Sequence, residues 1–335
     1  MVNTFLAQDA VELAVVERSG FIESRHIGSL VVTAADGSVV TSLGNPTAPI
    51  YPRSTLKPFQ ALASMQAGAP LRGAQASLAS ASHVGSLEHM DLVRSMLDKA
   101  ELSESDLQCP PAWPQDSEAY RWMIRTDKEK SRLAMNCSGK HAAFLWACKE
   151  NGWDLRSYLD PNHPLQRLVL TLIEEYCGEK PVHVGIDGCG APVAAISLLG
   201  LARGYGKLGK SPSDKNANAR AATIATAMLD YPWTVEGRGK PNTVVMEDLG
   251  ILAKLGAEGV LALGTETGVG VAVKMLDGNG RAATLVGLTA LAASGAVDVS
   301  RVAEVLGKVV EPIIGGSSVV GQLRLGTAVS ALLEQ

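Results

Sequence analysis

Residues 26–43, HIGSLVVTAADGSVVTSL, carry the pattern that decides the fold class. An apolar run at 26–33 leads into the turn sequence Ala-Asp-Gly at 35–37, and a second apolar run follows at 39–43. Two such runs joined by a short turn with Asp and Gly predict a β-hairpin. We therefore expect sheet structure near the start of the chain.

A second hairpin is predicted near the other end. Residues 269–276 form an apolar run, Asp-Gly-Asn-Gly at 277–280 supplies the turn, and 281–286 is expected as the returning strand. Residues 203–219, rich in Gly, Lys, Ser, Asp and Asn, are expected to form an exposed loop. Between the hairpins, apolar residues recur at helical spacing, which predicts helices at 55–66, 87–99, 138–149, 165–176, 191–201 and 217–229.

These elements indicate an α+β fold, in which an antiparallel sheet is built from N- and C-terminal strands and a helical block is inserted between them. We expect a single domain over residues 1–335, with its sheet layer at about 20–50 and 240–335 and its helical block at about 54–235. This order of elements disfavours a doubly wound nucleotide-binding fold.

Composition and charge exclude several classes of protein. Of the 335 residues, 46% are hydrophobic and 19% are charged, which excludes a disordered chain. Thirty Lys and Arg against 34 Asp and Glu leave a net charge of −4, so no bulk positive field attracts nucleic acid. The longest weakly polar stretch, 282–297, is shorter than the roughly 20 residues that span a bilayer, and is expected as a buried helix.

The cysteines and the N-terminus favour a cytoplasmic protein. The chain has five cysteines, an odd number with no C-x-x-C pair, which is a poor disulfide framework for a secreted protein. The first 20 residues lack a basic region and contain Asp9, Glu12 and Glu17, unlike a signal peptide. We expect no membrane partner.

The sequence Ser54-Thr55-Leu56-Lys57 is the only S-x-x-K in the chain. Residues three apart on a helix share a face, so the Lys57 amine is expected within reach of the Ser54 hydroxyl. A serine needs a neighbouring base to become a nucleophile, and a lysine with a neutral amine can serve. The alternative is an N-capping serine followed by a surface lysine. A surface helix gains nothing from a proline directly after that lysine, so Pro58 argues against this alternative.

Two short segments place a serine, a histidine and a cysteine among small residues. In Ala-Ser-His at 81–83, adjacent side chains seldom point the same way, so Ser82 and His83 are not expected to be partners, and a loop cap is the alternative. In Asn-Cys-Ser-Gly-Lys-His at 136–141, Cys137 is a nucleophile, a metal ligand or a buried small hydrophobe.

Two glycine-containing segments complete the set of candidates. Gly-Ile-Asp-Gly-Cys-Gly at 185–190 places Asp187 and Cys189 in a sequence suited to a tight site loop. Lys254, in Lys-Leu-Gly at 254–256, precedes an apolar run, and a strand-edge lysine without a catalytic role is the alternative.

The order and content of these segments resemble the Rhizobium etli type of L-asparaginase, the thermolabile asparaginase II family. The matches span about residues 25–290: Gly-Asn-Pro-Thr at 44–47, Arg-Ser-Thr-Leu-Lys-Pro at 53–58, Ala-Ser-His at 81–83, Asn-Cys-Ser-Gly-Lys-His at 136–141, Asp-Gly-Cys at 187–189 and Lys-Leu-Gly-Ala at 254–257.

The resemblance implies a fold, an activity and an assembly. The fold is that of the serine β-lactamases and penicillin-binding proteins, and the activity is hydrolysis of L-asparagine to L-aspartate and ammonia. Two Ser-Lys pairs are implied, Ser54 with Lys57 and Ser82 with Lys254, and the expected assembly is a homodimer.

The resemblance further implies a zinc ion (Zn2+) held by Cys137, Lys140 and Cys189 beside Asp187. Two thiolates and a lysine are an unusual set, because structural zinc normally has four Cys or His ligands. A lysine ligand must be neutral, so zinc binding is expected to weaken as the pH falls.

The two Ser-Lys pairs suggest a mechanism. Two neighbouring lysines lower each other's proton affinity, so one of them can act as a base near neutral pH. We expect Lys57 to deprotonate Ser54, Ser54 to attack the side-chain amide, and Ser82 with Lys254 to relay a proton to departing ammonia. Water then hydrolyses the acyl-enzyme.

We expect residues in or next to the matched motifs to contact the substrate. For each of them, the alternative is a structural role as a hydrogen-bonding residue. These candidates are Arg53, His83, Asn136, Asp187 and Arg238.

Two alternatives to an asparaginase stay open. The first is a glutaminase or another serine amidase on the same scaffold. Glutamine is one methylene longer than asparagine, and a pocket distinguishes such substrates by only about 1–3 kcal/mol. A non-catalytic acyl-binding module of the penicillin-binding type would not need a second Ser-Lys pair. The chain has K-L-G and not K-T-G, and no S-D-N, so β-lactam hydrolysis is not expected.

Overall fold

The hairpin predicted at residues 26–43 is present in the computed structural model, which describes residues 3–334. Its first strand is longer than expected and also pairs with an earlier strand, which the sequence pattern did not reveal. The described residues form eleven strands: β1 (Val11–Arg18), β2 (Phe21–Thr33), β3 (Val39–Leu43), β4 (Pro49–Ile50), β5 (His183–Ile186), β6 (Pro192–Ser197), β7 (Leu252–Gly256), β8 (Val260–Gly264), β9 (Gly270–Met275), β10 (Ile313–Gly315) and β11 (Ser318–Leu325).

Five of the six predicted helices are confirmed, that at 87–99 with the same bounds and the other four within two residues at each end. The described part of the chain contains twelve α-helices: α1 (Lys57–Gln66), α2 (Ala74–Ala79), α3 (Leu87–Lys99), α4 (Ser117–Arg125), α5 (Ser138–Asn151), α6 (Pro164–Cys177), α7 (Leu198–Lys210), α8 (Ala219–Asp230), α9 (Pro241–Leu249), α10 (Ala283–Ala293), α11 (Val299–Val309) and α12 (Thr327–Ser330).

The larger sheet confirms the predicted α+β fold. Its strands run in the order β10-β11-β1-β2-β9-β8-β7, with β3 paired to β2, and every pairing is antiparallel. The strands come from residues 11–43 and 252–325, so the two ends of the chain build one sheet around a helical block. That block also holds a small antiparallel sheet, β4-β6-β5, which the sequence did not predict.

Helices cover both faces of the larger sheet. Gly270 of β9 faces α7, since a Cβ there would clash with the Ala202 carbonyl group. Val273 lies on the opposite face, because side chains alternate along a strand, and approaches Gly287 of α10. Both β8 and β9 are therefore buried along their whole length.

The loop expected at 203–219 is wrong over its first half, because helix α7 continues to Lys210. Its glycines are sites of close packing. A Cβ on Gly209 would lie 2.6 Å from the Thr265 carbonyl oxygen, so only a residue without a side chain lets the helix lie this close to the sheet.

The helix expected at 191–201 is also wrong, because its first part is the strand β6. This strand pairs with β4 on one side and with β5 on the other, and all six of its residues are buried. A strand buried on both faces lacks the alternation that distinguishes it from a buried helix.

The returning strand expected at 281–286 is absent, because the chain forms α10 there instead. Strand β9 pairs with β8 and β2. The buried helix expected at 282–297 is confirmed by α10, whose residues are uniformly apolar or small and almost all buried.

Buried apolar side chains form one connected core that joins the sheet to the helical block. The single-domain organisation stays a prediction. All five cysteines are buried and unpaired, and burial raises the pKa of Cys109 and Cys148 to about 12. Within residues 3–334, no helix combines the length and the apolar character that crossing a bilayer requires.

Candidate active site

Two lysine side chains meet at one serine hydroxyl. Lys57 Nζ and Lys254 Nζ each lie 2.9 Å from Ser82 Oγ. Ser82 follows α2, and its backbone N–H donates to the Val235 carbonyl oxygen at 2.8 Å. Both lysines are buried, whereas Ser82 is partly exposed. A reachable hydroxyl with two amines beside it has the surroundings of an activated nucleophile.

Lys57, the first residue of α1, has three acceptors. Its Nζ donates to the Ala81 carbonyl oxygen at 2.5 Å, to Ser82 Oγ at 2.9 Å and to the Asn136 carbonyl oxygen at 3.4 Å. A lysine ammonium has three N–H donors, so this set matches the charged form.

The expected side-chain pair of Ser54 with Lys57 does not form within residues 3–334. Ser54 lies in a 3-10 helix, Arg53–Leu56, and the bond that joins the two residues is between Lys57 N–H and the Ser54 carbonyl oxygen. The Lys57 side chain instead enters the interior and reaches Ser82. The lysine of the S-x-x-K motif therefore contacts a serine outside that motif, Ser82.

Lys254, on β7, is the second of the two lysines that contact Ser82. Its Nζ lies 2.6 Å from the Leu255 carbonyl oxygen, in addition to its contact with Ser82. Burial, followed by the positive charge of Lys57, lowers the pKa of this amine to about 7 against the opposing effect of Glu236. Near neutral pH a large share of Lys254 is therefore unprotonated and able to accept a proton.

Two residues that the sequence analysis missed brace the strand of Lys254. Asn242 Oδ1 accepts the Leu255 N–H at 2.8 Å, and the Asn242 N–H donates to Glu236 Oε2 at 2.9 Å. No local motif marks Asn242 or Glu236, because their role depends on how α9 packs against β7.

Gly256 allows the segment of Ser54 to approach β7. It lies two residues after Lys254 and therefore on the same face of the strand. A Cβ at Gly256 would lie 2.7 Å from the Pro52 carbonyl oxygen and 3.4 Å from the Ser54 nitrogen. The glycine of Lys-Leu-Gly thus brings Ser54 to the side of the sheet that carries Lys254.

Arg53 and Asp187 form a largely buried ion pair next to Ser54. Arg53 Nε donates to Asp187 Oδ1 at 2.7 Å, and the two side chains are 24% and 11% exposed. Arg53 has a φ of 54°, a left-handed backbone that costs a non-glycine residue roughly 1 kcal/mol or more. Residues with such backbone strain cluster at functional sites.

The three residues expected to hold zinc lie together and are buried. Lys140 Nζ donates to Cys189 Sγ at 3.1 Å. A hydrogen bond between the two cysteines is the largest cause that lowers the pKa of Cys189, and it raises the pKa of Cys137. Burial works against the charge of Lys140, but the two sulfurs and Asp187 hold the pKa of its amine above the ordinary value. We call these three residues the cysteine–lysine cluster.

One distance in the cysteine–lysine cluster, between Lys140 Nζ and Cys189 Sγ, can be compared with the spacing of two zinc ligands. Zinc binds thiolate sulfur at about 2.3 Å and nitrogen at about 2.0 Å, so two ligands of one tetrahedral ion lie roughly 3.5 Å apart. Lys140 Nζ and Cys189 Sγ, 3.1 Å apart, come close to this value. Among residues 3–334, no group of three or more His, Cys, Asp and Glu side chains is arranged to hold a metal ion. The cluster lies outside that class because one member is a lysine.

Asn136 and His83 lie beside the site and support it. Asn136 accepts from Lys57 through its carbonyl oxygen, and its Oδ1 lies 3.1 Å from Cys137 Sγ. His83 Nδ1 accepts the Gly85 N–H at 3.1 Å, and Nε2 lies 2.9 Å from Ser138 Oγ. Burial lowers the pKa of His83 well below its ordinary value, so the ring is neutral. Both ring nitrogens are used within the protein, which favours a supporting role for His83.

Arg238 contacts none of the other predicted site residues. Its guanidinium lies 5.0 Å from the centre of the Trp233 ring and 3.4 Å from the Glu88 carboxylate. These side chains line a cavity of about 410 Å³ together with His89 and Asp116. A contact between Arg238 and substrate stays a prediction without support from its position.

Comparison with known proteins identifies a family for this chain. The family model of L-asparaginase II matches residues 14–325. No curated protein gives a match. A crystal structure of a Bacteroides dorei DSM 17855 protein, described as a candidate β-lactamase, is 14% identical with a TM-score of 0.39, over 74% of this chain and 84% of that one. A likeness at this level supports no conclusion about fold or function.

The matched range contains the Ser82 group, the Arg53–Asp187 pair and the cysteine–lysine cluster, and it covers nearly the whole sequence. The resemblance carried by six short segments of sequence is thereby confirmed. The chain belongs to the L-asparaginase II family.

Proposed function

We propose that the protein is a serine amidohydrolase that converts L-asparagine to L-aspartate and ammonia, with Ser82 as the nucleophile. The observation that carries the proposal is the approach of two buried lysine amines to Ser82 Oγ, at 2.9 Å each. Membership of the L-asparaginase II family supports an asparaginase-type amidohydrolase.

The hydrogen bonds around the two lysines favour Ser82 over Ser54 as the nucleophile. Lys57 has three acceptors for its three N–H groups, which leaves it no lone pair to accept a proton. Lys254 has one acceptor besides Ser82, the Leu255 carbonyl oxygen. A neutral Lys254 amine can donate to that oxygen and direct its lone pair at the Ser82 hydroxyl. This assignment replaces the expected deprotonation of Ser54 by Lys57.

The proposed reaction proceeds through an ester on Ser82. Lys254 takes the hydroxyl proton while Ser82 Oγ attacks the side-chain amide carbon of the substrate. The C–N bond then breaks, Lys254 passes the proton to the leaving nitrogen, and ammonia departs. A water attacks the ester and gives its proton to Lys254, which returns it to Ser82 Oγ as L-aspartate leaves. The fixed ammonium of Lys57 stabilises negative charge that develops near Ser82 Oγ.

The Arg53–Asp187 pair is proposed to recognise the free amino acid. L-asparagine carries an α-carboxylate and an α-ammonium, and a guanidinium beside a carboxylate matches these two charges. Arg53 directly precedes Ser54, so Ser54 is proposed as a further substrate contact. A substrate that lacks either charge is expected to bind less tightly.

We also propose that the cysteine–lysine cluster binds zinc. A zinc ion there would supply a fixed positive charge beside Asp187 and tie α5 to the loop that carries Cys189. Lys140 has to lose its proton before it can become a ligand, so protons compete with the metal. Metal analysis of protein saturated with zinc and then dialysed tests this part, and a preparation without zinc would contradict it.

The activity is tested by measuring ammonia released from L-asparagine, L-glutamine and N-acetyl-L-asparagine, with a chromogenic β-lactam in parallel. We expect rapid release from L-asparagine, a higher KM for the acetylated compound, which lacks the α-ammonium, and no opening of the β-lactam. Preferential release from L-glutamine would assign a glutaminase. Inertness toward all four compounds would contradict the proposal and favour an acyl-binding module.

The homodimer and the cytoplasmic location stay predictions. Light scattering of the purified protein coupled to size exclusion measures the first, and a mass of one chain at micromolar concentration would contradict it. Fractionation of the producing cells measures the second.

A further inference from the structure

The outer edge of strand β7 has no neighbouring strand among residues 3–334, and two side chains pair with it instead. The Leu255 N–H donates to Asn242 Oδ1 at 2.8 Å, and the Leu255 carbonyl oxygen accepts from Lys254 Nζ at 2.6 Å. Both backbone groups of one residue point to the same side of an antiparallel pair, so both contacts lie on the open edge. Because the Lys254 amine rests on the Leu255 carbonyl group, the position of Leu255 decides where that amine lies.

Asn242 is 2% exposed and is held in turn by Glu236. It is the second residue of α9, where the backbone N–H groups have no acceptor within the helix. Its N–H donates to Glu236 Oε2 at 2.9 Å. Glu236 thereby fixes the turn of α9 from which the Asn242 side chain reaches β7.

The backbone around Glu236 holds the segment of the proposed nucleophile. The Ser82 N–H donates to the Val235 carbonyl oxygen at 2.8 Å, and the Val84 N–H donates to the Glu236 carbonyl oxygen at 2.7 Å. Val235 and Glu236 therefore bind the segment of Ser82 through their backbone. The Glu236 side chain reaches the strand of Lys254 through Asn242.

The Glu236 carboxylate also carries a charge that acts on the Lys254 amine. Burial and the positive charge of Lys57 on α1 lower the pKa of Lys254, whereas Glu236 and Cys137, which precedes α5, oppose them. Removal of the Glu236 charge alone should therefore lower the pKa of Lys254 further. This effect distinguishes the charge of Glu236 from its hydrogen bonds.

We propose that Glu236 is a positioning residue that holds Ser82 and Lys254 at a fixed separation. Its backbone anchors the segment of Ser82, and its side chain anchors Asn242, which holds Leu255 and with it the Lys254 amine. A displacement of about 1 Å at a reacting group can lower activity by about 10²-fold, so the contact between Ser82 and Lys254 requires such support. The proposal rests on the proposed function, in which Lys254 is the base for Ser82.

Three variants separate the hydrogen bonds of Glu236 from its charge. Glu236→Gln keeps an acceptor for the Asn242 N–H but removes the charge, Glu236→Ala removes both, and Asn242→Ala removes only the acceptor for Leu255. Each is measured as kcat and KM for L-asparagine against pH, with circular dichroism to verify folding.

We expect the plateau of kcat at high pH to fall about 10- to 100-fold in both alanine variants, with little change of KM. Glu236→Gln should keep most of the plateau, while its loss of activity at low pH moves to lower pH than in the unaltered protein. In Asn242→Ala that loss should stay at its original pH. An unchanged plateau in both alanine variants, or a plateau as low in Glu236→Gln as in Glu236→Ala, would overturn the proposal.

Glu179→Ala is the matched control, because Glu179 is a half-buried carboxylate that also holds the start of a helix. Its Oε2 accepts from Ser197 Oγ at 2.8 Å and its Oε1 accepts the Ser197 N–H, directly before α7. Glu179→Ala should lower the melting temperature and leave kcat and its pH dependence unchanged. A loss of kcat equal to that of Glu236→Ala would overturn the proposal, since it would reflect stability alone.

Hydrogen exchange of the Leu255 N–H gives a readout that needs no turnover. It is measured by nuclear magnetic resonance of the full chain labelled with ¹⁵N-leucine. Exchange should be equally slow in the unaltered protein and Glu236→Gln, and roughly fivefold faster or more in both alanine variants, which lose about 1 kcal/mol of hydrogen bonding. Equal exchange in all four proteins would overturn the proposal. Inertness of the unaltered protein toward L-asparagine would contradict the proposed function, and the exchange rates would then still decide whether Glu236 holds the strand of Lys254.

Discussion

The side-chain nitrogen of Lys254 lies 2.9 Å from the side-chain oxygen of Ser82, although 172 positions of sequence separate the two residues. Strand β7 and the segment after α2 come together only because the terminal strands form one sheet against the inserted helices. A buried amine with a pKa near neutrality, held against a reachable hydroxyl, is the arrangement that a general base and a serine nucleophile require. Lys57 Nζ lies at the same distance, 2.9 Å, from that oxygen.

Replacement of Ser82 is expected to be more damaging than replacement of Ser54. Ser82→Ala removes the proposed nucleophile and should lower kcat by about 10³-fold or more. Ser54→Ala removes a proposed substrate contact and should raise KM while leaving measurable turnover. Steady-state kinetics with L-asparagine, with circular dichroism to verify folding, measures both variants. A Ser82→Ala enzyme with full activity would exclude Ser82 as the nucleophile.

The activity is expected to fall as the pH drops below about 7. The pKa of Lys254 is lowered to about 7, and its amine accepts a proton only in the unprotonated form that predominates above that value. The logarithm of kcat/KM should therefore rise with pH and level off above about 7, with a slope near one below it. Lys254→Arg keeps the positive charge but stays protonated throughout, so it should be inactive at every pH. Recovery of Lys254→Arg at high pH would argue against a base at this position.

Lys254 is also expected to make the protein less stable near neutral pH. Its pKa is about 7 in the folded protein and about 10.4 in an unfolded chain, so between these values the unfolded state binds more protons. The stability of the unaltered protein therefore gains up to about 1.4 kcal/mol per pH unit from this residue as the pH rises from 7 to 10. Lys254→Met lacks this dependence, and any stability advantage it has at pH 7 should shrink by pH 10. Urea unfolding of both proteins at several pH values measures the difference, and a constant difference would contradict the prediction.

Much of the fold follows from sequence patterns that act locally. The turn at 35–37 fixes the first hairpin, and the apolar spacing of α3 gives its bounds without error. The patterns fail where packing on both sides removes the alternation, as in β6, or where a glycine serves a close contact, as at Gly209 in α7. In both cases the deciding interaction comes from a distant part of the chain.

Most of the residues that the sequence singles out lie close to one another, with Arg238 as the exception, but the sequence does not predict which of them pair. The S-x-x-K spacing identifies Lys57. Ser54 lies in the 3-10 helix before α1, however, and the Lys57 side chain enters the interior, where its amine contacts Ser82. Asn242 and Glu236 carry no motif, since each acts through a contact that only the folded chain creates.

Gly256 is expected to tolerate no side chain. A Cβ there would lie 2.7 Å from the Pro52 carbonyl oxygen, so Gly256→Ala should displace the segment of Ser54 and destabilise the protein by about 1–3 kcal/mol. Gly307→Ala is the matched control, because no atom lies within 4 Å of its Cβ position and alanine favours the helix by about 1 kcal/mol. Thermal unfolding and kcat should fall together for Gly256→Ala, while Gly307→Ala should be more stable and equally active. An unchanged melting temperature for Gly256→Ala would contradict the packing described at β7.

The identity of the acylated serine tests the central claim most directly. The full chain is mixed with saturating L-asparagine, quenched in acid within milliseconds, digested, and mapped by peptide mass spectrometry. We predict an aspartyl ester on the peptide that contains Ser82, present in Ser54→Ala and absent in Ser82→Ala. An ester on Ser54 in the unaltered protein would contradict the assignment of Ser82 and Lys254 as nucleophile and base.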